Sequence, residues 1–466
     1  MVFSSATFIF YFLPIFLILY FIPSHQKQRN LLLFSFSLIF YAWGEPLYIY
    51  LMLISITVNW KCAKLIDTRQ SKKYRKLYLF LAIAFNLGVL GFFKYVPFLI
   101  STIGNQLGIA VSYCRIFRRI PLPIGISFYT FQAISYLVDV YRHRFPHETS
   151  FIVLGTYISM FPQLIAGPIV RFEQIQKELH SSIITYWDII QGVQLFIIGL
   201  SLKVLIANTF AKTVDHVFSL NAQFLSAPLA WIGATSYFFQ IYYDFNGYSI
   251  MAIGLGKMLG FTLPRNFDRP YTSRNITEFW RRWHISLSTW FRDYLYLPLG
   301  GNRSGTIATY RNLFIVFALC GFWHGAGWNF LLWGIYHGLF LVIERSYRNT
   351  TIKMPPILSH IYALLVVLIG WVIFRCESFL QLKFYLLSMV CGSAKVIYHL
   401  QEIYLPVWFF FFLIACGLSM VRIDYEKTVL FQRMSIASGV CYFALFIMCT
   451  VSLVCGTYNP FIYFRF

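Results

Sequence analysis

The apolar residues of this chain fall in long uninterrupted runs that are separated by short polar turns. The first run, FIFYFLPIFLILYFI, covers residues 8 to 22. The sequence contains roughly ten to twelve such runs, and a bilayer core needs roughly 20 apolar residues per spanning helix. Strands of an outer-membrane barrel alternate apolar and polar residues instead. The pattern therefore predicts an all-α polytopic integral membrane protein.

Composition excludes a water-soluble globule. Of the 466 residues, 58% are hydrophobic and only 12% are charged, whereas about a quarter of the residues are charged in a soluble domain. The chain carries 38 Lys and Arg residues against 17 Asp and Glu residues. In a membrane protein this excess indicates loops that face anionic lipid on the cytoplasmic side, so the lipid bilayer is the predicted partner and nucleic acid is not.

Two basic turns predict the orientation of the chain. Lys27 and Arg29 follow the first apolar run, and residues 61–76 hold seven basic residues against the single Asp67. Because two apolar segments separate these turns, both belong on the cytoplasmic face and the amino terminus lies outside. The first run has neither a basic stretch before it nor a clear cleavage site after it, so we interpret it as a retained helix.

Two segments contain too much proline and glycine for a simple crossing. PLPIGISFYTFQAISYLVDVYRHR covers 121–144, and FPQLIAGPIVRF covers 161–172. We interpret both as re-entrant or broken helices, which are tolerated at membrane depth only where protein or a wet cavity surrounds them. Together they indicate an internal chamber.

The block 257–311 is too polar to cross lipid. It holds nine basic residues against three acidic ones, and it is rich in Trp and Tyr. This composition predicts short interfacial helices at headgroup depth on the cytoplasmic side. We treat 1–466 as a single membrane domain, in which 257–311 carries His284 and the core helices of 312–345 carry His324.

Neither the spacing of the cysteines nor any common enzyme motif identifies a cofactor or a reaction in this chain. None of the nine cysteines forms a CxxC pair, so neither a disulfide framework nor a zinc site is predicted. The chain lacks GxSxG, P-loop and HExxH motifs and a glycine fingerprint between strand and helix. We therefore predict no metal and no permanently bound cofactor.

Three histidines lie where a polar ring is costly. His324 is flanked by glycines in GFWHGAGW, which lets the backbone bend and a substrate approach. Imidazole can accept and return a proton near neutral pH, so His324 is a candidate general base; a structural hydrogen bond to a neighbouring helix is the alternative. His284 is either part of the site or an interfacial ring. His337 lies 13 residues after His324, about 220° around a continuous helix, which favours packing.

Asp244 and Asn246 interrupt another apolar segment. A buried carboxylate requires a partner, and a nearby arginine is the expected one. We interpret this pair as structural.

Long motifs resemble the membrane-bound O-acyltransferase family, in its bacterial branch of alginate O-acetylation membrane subunits. They cover almost the whole chain. The matching motifs are MVFSSATFIFYFLPI, PLPIGISFYTFQAISYLVDVYR, FPQLIAGPIVRF, DFNGYSIMAIGLGKMLGFTLPRNFDRPY, EFWRRWHISLSTWFRDYLYLPLGGNR, GFWHGAGWNFLLWGIYHG and FIYFRF. Ile250 departs from the branch, which has an acidic residue there; the acceptor of this protein can therefore differ from alginate.

The resemblance implies about eleven transmembrane helices, with re-entrant and interfacial helices, around a central tunnel. It identifies His324 as the essential histidine of the family and His284 as its second polar position. It also implies a multi-pass protein of the bacterial inner membrane that transfers an acetyl group to an extracytoplasmic polysaccharide, with a periplasmic SGNH-hydrolase-like acetyltransferase as partner.

We expect acetyl-CoA or another thioester to be the donor, with acetyl-CoA bound from the cytoplasm by Arg281 and Arg282, whose charge suits its phosphates. Peptidoglycan, another wall glycan, or teichoic acid that receives D-alanine are alternative acceptors. A transporter or channel with proton-coupling histidines is the alternative outside enzymes.

Overall fold

The computed structural model describes residues 1–107, 121–221, 224–347, 354–391, 403–423, 436–456 and 458–462. Within these ranges every regular element is a helix, as the apolar pattern predicts. Cys114 and the last four residues of the FIYFRF motif lie outside them. The chain divides into two compact units, Met1–Phe196 with Ser249–Pro264, and Ile197–Tyr248 with Arg265–Phe466. The prediction of one domain over 1–466 stays a prediction.

The first unit contains the amino-terminal helices. They are α1 (Leu13–Phe21, preceded by a π-helical turn at Phe8–Phe12), α2 (Gln26–Ala42), α3 (Tyr48–Thr68), α4 (Lys72–Lys94), α5 (Val96–Leu107), α6 (Ile126–Tyr141), α7 (Phe151–Ser159), α8 (Phe161–Leu164) and α9 (Phe172–His180). The basic segment 61–76 is mostly helical, since only residues 69–71 lie between α3 and α4. Its charges therefore extend the ends of two helices instead of forming a long loop.

The segments 121–144 and 161–172 behave differently from each other. Residues 126–141 form the continuous helix α6, because Pro121, Pro123 and Gly125 all precede its first turn. The segment is therefore not broken within α6, whose 16 residues span about 24 Å, and the re-entrant form stays a prediction. In the second segment the helices are broken as predicted, because α8 is a single turn between α7 and α9.

The second unit begins inside a long helix and contains most of the later elements. They are α10 (Tyr186–Ser201, continued by a π-helical stretch at Leu202–Ala207), α11 (Asn208–Ser219), α12 (Ala227–Met258), α13 (Ile276–Arg282), α14 (Ile285–Phe291), α15 (Thr306–His324), α16 (Trp328–Tyr347), α17 (Pro356–Arg375), α18 (Phe379–Cys391), α19 (Leu405–Met420) and α20 (Ile436–Cys455). Parts of α10 and α12 belong to the first unit.

Short helices occupy the block 257–311, as its composition predicts. Asn275 caps α13 because its side-chain oxygen accepts a hydrogen bond from the Glu278 amide at 2.7 Å. His284 separates α13 from α14 and has a left-handed backbone, φ 43°. That conformation is uncommon for a residue with a side chain and occurs often at functional sites.

Helices α15 and α16 form a tight hairpin that carries two of the histidines. A Cβ atom at Gly321 would lie 2.2 Å from the Phe330 carbonyl oxygen, and one at Gly334 would lie 2.2 Å from the Phe317 carbonyl oxygen. The two backbones can approach this closely because both positions are glycine. The hairpin places His324 at the end of α15, directly before the turn.

Six helical segments in the described part of the chain are long and apolar enough to cross a membrane. They are Tyr48–Thr68, Lys72–Lys94, Tyr186–Ser219, Thr306–His324, Pro356–Arg375 and Ile436–Cys455; shorter apolar helices cover Phe8–Phe21, Phe379–Cys391 and Leu405–Met420. These segments support a multi-pass membrane protein. The count of about eleven spans and the central tunnel stay predictions.

Candidate functional site

His324 lies in a cage of aromatic rings in the second unit. The side chain is only 9% exposed. Its ring centroid lies 5.0 Å from Trp323, 5.1 Å from Trp333 and 5.4 Å from Phe374. These rings come from α15, α16 and α17, so the hairpin and one further helix together hold the imidazole. The position agrees with the predicted polar ring in a bent, apolar segment.

His284 is held by a hydrogen-bond network around Asn266. The Asn266 Oδ1 atom lies 3.1 Å from His284 Nδ1 and accepts hydrogen bonds from the amide and hydroxyl groups of Ser286, at 3.2 Å and 2.9 Å. The Asn266 carbonyl also accepts from the Ile285 amide at 2.9 Å. Asn266 therefore fixes both the backbone around His284 and the direction of its ring.

This network assigns the tautomer of His284. A backbone amide donates to Asn266 Oδ1, so that atom is the carboxamide oxygen, and the nearby His284 Nδ1 must carry the proton. Nε2 then presents a lone pair, and it has no hydrogen-bond partner among the described residues. Burial lowers the pKa of His284 well below its ordinary value, and the nearby His324 lowers it further. His284 is therefore a neutral hydrogen-bond acceptor.

Trp323 contacts both candidate histidines. Its ring centroid lies 6.4 Å from that of His284 and 5.0 Å from that of His324. The electrostatic effect of His324 on His284 likewise places both rings in one environment. The structure thus brings together the two histidines that sequence motifs separate by 40 positions.

The interpretation of His337 requires a correction. We expected His337 to face away from His324 on a continuous helix, but the chain turns between α15 and α16. Trp333 consequently lies 5.1 Å from the rings of both His324 and His337. His337 belongs to the same aromatic cluster as His324. The two residues lie on different helices of the hairpin, so the rotation of about 220° expected for one continuous helix does not apply.

The partner of Asp244 is a lysine, so the expectation of an arginine is wrong. Lys203 Nζ lies 2.6 Å from Asp244 Oδ1, and both side chains are buried. The other carboxylate oxygen accepts from the Ile462 amide at 2.9 Å. Lys203 also donates to the Pro460 carbonyl and to Asn208. This ion pair ties the carboxyl-terminal segment to α10 and α12, which is a structural role of the kind predicted.

Arg281 and Arg282 line an open pocket of about 1220 Å³ in the second unit. Arg274 and Arg345 also line it, together with Glu278 and Glu344. Arg282 is already paired, since its guanidinium lies 2.8 Å from the Glu278 carboxylate. Arg281 is exposed and also lines a second, narrower pocket. Of the two predicted residues, Arg281 is the better placed to meet an incoming anion.

Sequence reasoning missed Asn266 and Trp333. Asn266 lies 18 residues before His284, and no local spacing links the two. Trp333 could have been found from the sequence. It lies nine residues after His324, on the next apolar segment, and that segment packs against the helix of His324 once the chain turns at the intervening glycines. The eight cysteines in the described ranges are free. Those ranges also contain no group of three or more His, Cys, Asp and Glu residues that could hold a metal.

The helices and the composition define a polytopic membrane protein, and its candidate histidines lie buried among aromatic side chains. Residues 39–382 match MBOAT, the membrane-bound O-acyltransferase family. The chain belongs to this family, and it is an O-acyltransferase. The match covers both candidate histidines, which confirms the resemblance seen in the motifs.

Three relatives of this chain are acyltransferases by name. The chain is 45% identical to the probable alginate O-acetylase AlgI of Pseudomonas syringae pv. tomato, over 81% of this chain and 73% of the relative. It is 37% identical to the peptidoglycan O-acetyltransferase of Helicobacter pylori, over 86% of this chain and 82% of the relative. Identity to the teichoic acid D-alanyltransferase of Streptococcus thermophilus is 31%, over 48% and 57% respectively.

Proposed function

We propose that this protein passes an acetyl group from cytoplasmic acetyl-CoA across the bacterial inner membrane for O-acetylation of an extracytoplasmic polysaccharide. The observation that carries the proposal is that Trp323 contacts the rings of two buried histidines, His324 and His284. The names of the relatives supply the group and the acceptor class, since an alginate O-acetylase and a peptidoglycan O-acetyltransferase both acetylate glycans.

His324 acts as the general base in this proposal. It takes the proton from an attacking hydroxyl, the hydroxyl oxygen adds to the thioester carbonyl carbon, and the carbon–sulfur bond then breaks. The thiolate leaves with the proton that His324 returns, so the imidazole ends neutral. His284 positions the bound substrates by accepting a hydrogen bond at Nε2, because Asn266 holds the proton on Nδ1; the donor is a group other than the hydroxyl that His324 deprotonates. The attacking hydroxyl belongs either to the acceptor or to a relay group on a partner protein.

The large basic pocket is the proposed docking place for the donor. Arg281 meets the phosphates, and Arg282 contributes charge while it stays paired with Glu278. A volume of about 1220 Å³ exceeds the usual size of a small-molecule pocket and leaves room for a nucleotide. Phosphate groups bind guanidinium groups through short, charge-assisted hydrogen bonds.

A periplasmic SGNH-hydrolase-like acetyltransferase is the proposed partner that completes delivery to the sugar. The acceptor is either alginate or another glycan. Ile250, which replaces the acidic residue of the alginate branch, is fully buried in α12. Peptidoglycan is the second candidate acceptor, because the peptidoglycan O-acetyltransferase matches a larger share of this chain than the alginate relatives do.

Acetylation in cells tests the proposal. The gene is deleted from its host, and the deletion strain is complemented with the wild-type protein or with His324→Ala. Mass spectrometry then quantifies acetyl groups on the exopolysaccharide and on peptidoglycan separately. We expect the deletion to lose acetyl groups from one of these glycans and only the wild-type protein to restore them. Unchanged acetylation of both glycans in the deletion strain would refute the proposal and indicate that the acyltransferase has a different acceptor.

A further inference from the structure

His337 is a buried imidazole without a hydrogen bond to any residue in the described ranges. Its side chain is fully buried in α16, and neither Nδ1 nor Nε2 has a partner there. A neutral imidazole carries one donor and one acceptor, so two polar functions are unsatisfied. Buried polar groups in native proteins nearly always have partners, and the rare exception requires a reason.

The surroundings of His337 are aromatic. The ring centroids of Trp280 and Trp333 both lie 5.1 Å from the imidazole, and that of Tyr336 lies 5.4 Å away. The Tyr336 hydroxyl donates to the Val366 carbonyl instead. A phenylalanine would pack against these rings without the cost of two unsatisfied nitrogens. Packing alone therefore does not explain why an imidazole is present.

A narrow pocket of about 240 Å³ is lined in part by Trp280. Trp280, Phe317 and Cys320 form part of its apolar wall. The pocket shares four lining residues with the large basic pocket, and these are Thr277, Arg281, Leu313 and Leu341. The two spaces therefore adjoin, and of the two only the narrow pocket is lined by Trp280.

We infer that His337 is a further substrate-binding residue, which hydrogen-bonds a carbonyl or amide group on the linear arm of the thioester donor. The inference rests on the proposed function. The phosphorylated end of the donor binds the basic pocket, and its arm enters the narrow pocket and turns the Trp280 indole aside. Beyond Trp280 the arm reaches His337, and Trp333 contacts the rings of both His337 and His324.

Kinetics on purified full-length protein in lipid nanodiscs test this assignment. For His337→Phe we expect the KM for acetyl-CoA to rise about tenfold, the equivalent of one hydrogen bond, with a smaller change in kcat. The thermal midpoint should equal or exceed that of the wild type, because the unsatisfied nitrogens are removed. His337→Gln retains hydrogen-bonding capacity and should recover most of the KM.

His360 provides the matched control, because its ring hydrogen-bonds the Ser273 carbonyl at 2.9 Å. His360→Phe should lower the thermal midpoint and leave KM unchanged. If His337→Phe does not fold, His337→Leu replaces it. An unchanged KM in folded His337→Phe or His337→Leu, with active wild type, would overturn the inference and leave the proposed function intact. Failure of the wild type to turn over acetyl-CoA would refute the proposed function itself.

Discussion

Asn266 shows how a single carboxamide can define the chemistry of a neighbouring imidazole. It accepts from His284 and twice from Ser286, and it thereby leaves the His284 Nε2 lone pair available. Partners of this kind set the tautomer and direction of a functional ring. A substitution of Asn266 should therefore change the rate of acetyl transfer, although the Asn266 side chain takes no direct part in the reaction.

We expect Asn266→Ala to reduce kcat on the order of tenfold to a hundredfold, because the His284 ring loses the acceptor that fixes its proton. The measurement is the initial rate of acetyl transfer at equal amounts of folded protein. Asn86→Ala is the control, since Asn86 is also a buried, hydrogen-bonded asparagine. Equal rates for Asn266→Ala and wild type would exclude the assigned orienting role.

The lowered pKa of His284 also predicts how stability changes with pH. Below about pH 6.5 the histidine of the unfolded chain binds a proton that the folded protein rejects. The unfolded state then carries more protons, so stability falls as the pH is lowered from 6.5 towards the folded pKa. Thermal midpoints between pH 5 and pH 7 should fall less in His284→Gln than in the wild type. If the thermal midpoints of wild type and His284→Gln fall by the same amount between pH 7 and pH 5, the prediction is contradicted.

The glycines and the apolar segment around His324 singled it out from the sequence, whereas His284 was proposed through the family resemblance; the role of both residues stays a prediction. The contacts of those histidines were not predictable from spacing. Asn266 reaches His284 through the fold of the short helices, and Trp333 reaches His324 through a hairpin. The lysine partner of Asp244 was missed for the same reason, since Lys203 lies on a separate helix.

At the scale of elements, the α15–α16 hairpin depends on two glycines that face backbone atoms. A Cβ atom at Gly321 would lie 2.2 Å from the Phe330 carbonyl oxygen, and backbone cannot yield as a flexible side chain can. Gly321→Ala should therefore push the helices apart, displace His324 and lower the thermal midpoint.

Gly417 on α19 is the matched control, because a Cβ atom there would meet nothing within 4 Å. Gly417→Ala should be neutral or stabilise the helix by up to about 1 kcal/mol. Thermal midpoints of both variants in detergent check the contrast. A Gly321→Ala protein as stable and active as Gly417→Ala would show that the close approach is not required.

Element boundaries were predicted less accurately than element types. The apolar runs correspond to helices, but six of the seven basic residues of 61–76 lie on the ends of α3 and α4, and only Arg69 lies in the turn between them. Lysine and arginine are good helix formers, so basic residues at a membrane surface can continue a helix beyond the apolar part. Pro121, Pro123 and Gly125 likewise mark the start of α6 instead of a break within it.

At the scale of the whole molecule, the basic turns predict the orientation in the membrane. The turn at 69–71 should be cytoplasmic and the amino terminus extracytoplasmic, because Lys and Arg are retained on the cytoplasmic side. A cysteine introduced at Gln70, in a background without native cysteines, should resist a membrane-impermeant thiol reagent in intact cells. One introduced at Ser5 should react. The reverse labelling pattern would contradict the proposed direction of transfer.

The central claim is that His324 drives acyl transfer, and the rate of thiol release from acetyl-CoA tests it most directly. Purified wild-type protein, His324→Ala and the exposed-residue control His25→Ala are compared in nanodiscs with an acceptor glycan, at equal amounts of folded protein. Loss of a general base predicts a decrease of about 10²- to 10⁴-fold for His324→Ala and none for His25→Ala. A folded His324→Ala protein that releases thiol at the wild-type rate would contradict the account.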